Sequence, residues 1–169
     1  MRTISHSLAG FALLLMALSA VSLSSAQAIA PSSGKAMCSA LTAADFTKVG
    51  VPVSRLREAN LDDQKSAYCI YDSTAGKVEF DIYFPAGDTP AEAQNAVRAA
   101  QAAIGGHFVP FAVAGADEVS SNAASPNGPD SSIVVRKGTT VFNIGIPQSP
   151  QALPQLVQLT LLVVSRLKQ

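Results

Sequence analysis

The side chains equipped for catalysis in this 169-residue chain are few. It carries two histidines, His6 and His107, and two cysteines, Cys38 and Cys69. His6 falls in a segment that reads as a removable leader, which leaves His107. That residue follows Gly105-Gly106 at the end of an expected helix, where the helix dipole favours an imidazolium, so its reading is structural. No serine stands in a nucleophile elbow, and no HExxH motif, phosphate-binding loop or CxxC pair occurs. The residues therefore point to no catalytic group, no metal ligand set and no cofactor.

One patterned set of polar residues remains. In Lys77 to Phe84, the residues Val78, Phe80, Ile82 and Phe84 alternate with Glu79, Asp81 and Tyr83. A period of two places the first set on a core face and the second on a wet one. Two carboxylates on one face suit an acid–base pair or Ca²⁺ ligation. Calcium would need more oxygen ligands converging there, and a solvated outer face is the plainer reading. If the neighbouring strands pair beside this one, Tyr71, Arg136 and Asn143 join Glu79, Asp81 and Tyr83. The result is a polar surface with aromatic anchors, suited to a small ligand or a protein partner.

The compartment is read from the first residues. Arg2 precedes an apolar run from Leu8 to Leu23, and small residues surround Ala26 and Ala28, the layout of a secretory signal peptide over residues 1–28. At about sixteen residues the run is shorter than the roughly 20 that span a bilayer, so no stable membrane span is expected after processing. The remaining chain is one domain, residues 38–169, behind a linker over 29–37. Removal of the leader takes only Arg2 from a balance of 12 basic and 12 acidic residues. A net charge near zero steers the protein toward neither nucleic acid nor anionic lipid. In an exported chain, two cysteines read as one disulfide, Cys38 to Cys69.

The elements that must position these residues follow from local signals. Thr42 caps a first helix with Asp45 three residues on, and Gly50 and Pro52 stop it. Residues 53–65 lack a pattern and read as a loop. Strands are expected at 67–72 and 77–84, joined through Ser73-Thr74-Ala75-Gly76. Thr89-Pro90-Ala91-Glu92 is a capping box that opens a second helix, with Ala93, Val97, Ala100 and Ile104 on its apolar face. Strands are expected at 107–113, where Pro110 signals an edge or bulge, and at 118–123. Residues 124–130 form a turn-rich tip before a hairpin of 132–136 and 140–146. The last helix opens at Ser149-Pro150 and is apolar enough for burial on more than one side. The fold class is thus α+β: an antiparallel sheet of about five to six strands with three helices, in the order α-β-β-α-β-β-β-β-α.

Four segments carry a resemblance. They are Cys38-Ser39-Ala40-Leu41-Thr42-Ala43-Ala44-Asp45, Tyr68-Cys69-Ile70-Tyr71, Val113-Ala114-Gly115-Ala116-Asp117-Glu118 and Val134-Val135-Arg136-Lys137-Gly138. In their order and spacing the chain resembles a broad family of small secreted or lipid-anchored bacterial domains of unknown function, akin to the extracellular sensor domains of some mycobacterial serine/threonine kinases. The resemblance implies an antiparallel sheet flanked by helices, with Cys38 bridged to Cys69. It supplies no catalytic motif. Many members carry a lipid-modified cysteine at the cleavage site, whereas Cys38 lies well beyond the apolar run, so tethering is not carried over.

The expectation is an exported, non-catalytic binding or sensing module, periplasmic or extracellular, whose partner is an unknown small molecule or an envelope protein. An envelope-associated structural or interaction protein is the alternative, and a hydrolase the least favoured.

Overall fold

The computed structural model describes residues 34–62, 66–123 and 130–167. The leader expected over 1–28 and the turn-rich tip at 124–129 lie outside the described residues. The elements are α1 (Gly34–Cys38), α2 (Ala43–Lys48), β1 (Val53–Asp62), β2 (Ser66–Ser73), β3 (Val78–Tyr83), α3 (Pro90–Ile104), β4 (Val109–Pro110), β5 (Glu118–Ser121), β6 (Asp130–Lys137), β7 (Thr140–Pro147) and α4 (Ala152–Arg166). All seven strands join one sheet in the order β1-β2-β3-β7-β6-β5-β4, with every neighbouring pair antiparallel. The fold is α+β, as the alternating and helical patterns require.

Two elements depart from the expectation. Residues 53–62 form a strand, not a loop, and pair along β2. Its register skips Ser54 and Arg57, and each skip reverses which residues face the core, so the period-two signal is erased. Residues 34–37, expected as linker, form with Cys38 a single helical turn in which Met37 and Cys38 are buried. One turn is too short to show a periodicity. A third segment shrinks: the strand expected over 107–113 is two residues long, since Pro110 has no N–H to extend the ladder.

The first sheet face holds the core. Cys69 and Tyr71 from β2, Val78, Phe80 and Ile82 from β3, Ile133 and Val135 from β6, and Phe142, Ile144 and Ile146 from β7 are all buried there. Leu156, Leu159 and Val163 of α4 cover them together with Met37, Leu41 and Phe46 from the N-terminal segment. Helix α4 buries one side only; Leu153 and Leu161 stay about 40% exposed, against the expectation of burial on more than one side. Its apolar stripe is wide because it contacts a broad sheet.

Three links fasten the helices. Cys38 is bonded to Cys69 across 31 residues. The capping box of α2 is formed, with the Thr42 N–H donating to Asp45 Oδ2 at 2.8 Å, and the same carboxylate takes two bonds from Arg166 of α4, at 2.7 and 2.9 Å. Lys137 Nζ donates to the carbonyls of Val164 and Leu167, each at 2.7 Å, and so satisfies the last turn of α4.

The second face is divided. Helix α3, opened by the Thr89–Glu92 capping box, lays Ala93 and Val97 on Val134 of β6 and Val141 of β7. Its alanines allow the close approach. This covers only part of the face, and the part over β1, β2 and β3 carries polar side chains instead.

Candidate functional site

Register decides which residues share the open part of the second face. Tyr68 lies opposite Asp81, and Asp81 opposite Asn143, so the three form a row across β2, β3 and β7. Glu79 is two residues along β3 from Asp81 and faces Gly145. The Tyr68 hydroxyl donates to Glu79 Oε2 at 2.9 Å, and Lys77 Nζ approaches the same oxygen at 2.6 Å. That ammonium also stands 5.8 Å from the Tyr68 ring centroid, within cation–π range.

Asp81 is the least satisfied member. Asn143 Nδ2 donates to its Oδ2 at 3.0 Å, while Oδ1 is enclosed without a partner among the described residues. Burial pushes its carboxyl up to about 7, with Glu79 adding repulsion, against the lowering effects of the Asn143 bond and of Lys77. Asp130, at the start of β6, is also raised, by burial first and Glu79 second. The Tyr68 hydroxyl is raised by burial and by its bond to Glu79. A hollow of about 210 Å³ opens beside Asp81, lined by Asn60, Ser66, Ala67, Tyr68, Asp81 and Tyr83. Tyr83 is 39% exposed at its mouth.

Of the six residues expected here, Glu79, Asp81, Tyr83 and Asn143 share the face, and Glu79, Asp81 and Asn143 are joined through side-chain contacts or register. Tyr71 does not belong. It lies opposite Val78 in the register, on the core face, 3% exposed, with its ring 4.8 Å from Phe46. Its hydroxyl donates to the Leu41 carbonyl and contacts that of Cys38 at 3.4 Å. Tyr68 takes the place expected for it. The signal was present: a Cys69 bridged into the core forces Tyr71 inward and Tyr68 outward by alternation.

Arg136 stands apart as well. It shares the outward phase of β6 with Val134, but α3 covers Val134 and separates Arg136 from the Asp81 row. Its guanidinium bonds Glu118 and Asp117, each at 3.3 Å, and the Gly138 carbonyl at the β6–β7 turn, which makes it a fastener of β5 to β6. Asn60, Ser66 and Asp130 were not anticipated, because each lies on another strand and approaches through strand pairing, whereas Lys77 follows from the same period of two that places Glu79.

Among the described residues, no group of three or more His, Cys, Asp or Glu side chains is placed to hold a metal ion, and no helix is long and apolar enough to cross a membrane. No protein-family model, curated protein or solved structure matches the chain. The geometry at the site is that of a recessed carboxyl with one oxygen bound by Asn143 and the other unpartnered among the described residues, beside two tyrosines, on the part of the second face that α3 leaves open.

Proposed function

We propose that this chain is an exported, non-catalytic binding or sensing module, periplasmic or extracellular, that seats a small ligand over Asp81. The observation that carries the reading is the Asp81 carboxyl, recessed beside a hollow that Tyr68 and Tyr83 line, with Asn143 holding one oxygen and no described residue holding the other. A buried polar atom without a partner costs about 1–3 kcal/mol, a cost that a ligand donor would relieve. The tyrosines supply flat apolar contact with little rotamer entropy to lose. Export is supported by the leader pattern and by the Cys38–Cys69 bridge, which suits an oxidising compartment. The likeness of its four segments to extracellular sensor domains agrees with a role in sensing.

The test is native mass spectrometry of the exported protein, followed by a thermal-shift screen of small metabolites on the wild type and on the Asp81→Asn/Tyr83→Ala double variant. A co-purified small molecule, or a screening hit whose affinity falls at least about tenfold in the variant, supports the reading. Unchanged affinity for every binder found rejects it. A stable protein partner in place of a small molecule favours an envelope interaction role.

A further inference from the structure

A larger recess, of about 620 Å³, lies at the β1 edge and falls in the size range of small-molecule sites. It coincides with the irregular part of β1. The register runs from Val53↔Ser73 to Arg55↔Asp72 and from Leu56↔Tyr71 to Glu58↔Ile70, so Ser54 and Arg57 oppose no residue of β2. Bulges of this kind bend a strand and re-aim side chains, and they recur beside functional sites. Here both extra residues line the recess.

The charges in the recess are unequally committed. Its lining holds one carboxylate, Asp72, whose Oδ2 is already bound by Arg55 Nε at 2.7 Å. Arg57 Nε stands 4.0 Å from the other oxygen, and its side chain is 57% exposed. Arg57 is thus the loosely held cation of the group. Lys77 also borders the recess, with its ammonium drawn toward Glu79. At the β2–β3 turn, Ser73 Oγ accepts from the Ala75 N–H at 3.1 Å, which leaves its proton to give, and Thr74 also lines the recess. Ile70 adds an aliphatic surface.

We propose that this recess binds a small organic oxyanion, a carboxylate or a phosphate monoester, anchored by the Arg57 guanidinium. The hydroxyls of Ser73 and Thr74 donate to the anion, and Ile70 lies under its carbon skeleton. A planar guanidinium with two parallel donors matches either head group, and charge-assisted bonds of this type are about twice as strong as neutral ones. The site is separate from the hollow at Asp81 and does not rest on it.

The experiment is a two-dimensional amide NMR titration of the purified, disulfide-intact protein with phenyl phosphate and with benzoate, against sodium chloride at matched ionic strength. The expected result is saturable shifts confined to residues 54–57 and 70–77. Affinity should be at least about tenfold weaker in Arg57→Gln, partly restored in Arg57→Lys, and unchanged in Asp81→Asn. Which probe saturates identifies the head group. Shifts reproduced by chloride, shifts that never saturate for either probe, or equal affinity in Arg57→Gln would overturn the proposal. Because Arg57 is exposed on an edge strand, its replacement leaves the core packing in place.

Discussion

Gly145 lies directly across the β3–β7 seam from Glu79, and a Cβ placed on it would come within 2.9 Å of Glu79 Cγ. The Glu79 side chain thus rests over the one bare position of β7, and that is what brings its carboxylate to Tyr68 and Lys77. The backbone angle of Gly145 is ordinary for a strand, so the constraint is purely one of space.

Gly145→Ala should therefore act through Glu79. Forcing a methyl group into the contact is expected to lower stability by about 1–3 kcal/mol in urea unfolding. It should also free the Tyr68 hydroxyl from its carboxylate partner, so the raised tyrosine titration returns toward its ordinary value in ultraviolet difference spectra. Replacing Glu79 with Ala alongside Gly145→Ala relieves the clash and recovers most of the lost stability; a double variant no more stable than the single one would refute this account.

Asp81 makes stability fall as pH rises. Its carboxyl is raised from 3.8 to about 7 by burial, so the folded state holds a proton that the unfolded chain releases. The stabilisation is fully present below about pH 4 and is lost as pH climbs through about 7. The groups around it are Tyr68 from β2, Glu79 and Tyr83 along β3, Lys77 just before β3 and Asn143 from β7, while Asp130 of β6 is coupled to Glu79. Asp81→Asn keeps the shape, removes the charge, and should be more stable than the wild type at pH 8 by on the order of 2 kcal/mol. Denaturant unfolding from pH 4 to 8 tests this, and an identical slope in the two proteins would count against it.

The Asp45–Arg166 pair has the opposite sign. Hydrogen bonds from Arg166 hold the Asp45 carboxyl at about 2, so its contribution is present above about pH 4 and lost as pH falls toward 2. Arg166 is about one-third exposed, so solvent screening reduces the effect, and about 1–2 kcal/mol is expected. Asp45→Asn should lose that amount at pH 6, and progressively less as pH falls through about 2. Acid unfolding of the two proteins would reveal it, as separate curves at pH 6 that merge at low pH.

Opening the Cys38–Cys69 bridge releases a 31-residue loop in the unfolded chain. By chain entropy this costs about 3–4 kcal/mol. The Cys38→Ser/Cys69→Ser variant should show that loss in its denaturation midpoint at unchanged slope. It should also weaken protection of the α1 amides more than those of β6 and β7, because the bridge joins the α1 turn to β2. Uniform loss of hydrogen-exchange protection would contradict the local part of this prediction.

Much of the architecture was legible because it is written in local chemistry. Thr42–Asp45 and Thr89–Glu92 are capping boxes in sequence and in structure, and Gly50 takes the left-handed conformation its place predicted. The strict alternation from Val78 to Tyr83 gave β3 its face, hence the shared side of Glu79, Asp81 and Tyr83. Where alternation failed, the reading failed with it. The bulges at Ser54 and Arg57 hid β1, and with it the edge recess. Tyr71 was assigned to the wrong face because the phase of β2 was not tied to its buried cysteine.

The residues alone determined the α+β class, the helix boundaries set by caps and glycines, and the pairing of the two cysteines, since each depends on neighbours within a few positions or on a simple count. Tertiary structure alone decided which side chains meet. Strand order places Asn143 beside Asp81, 62 positions away, Gly145 beneath Glu79, and α3 between Arg136 and the rest. Periodicity along one strand carries no information about the register of the next, and the register assembles the site.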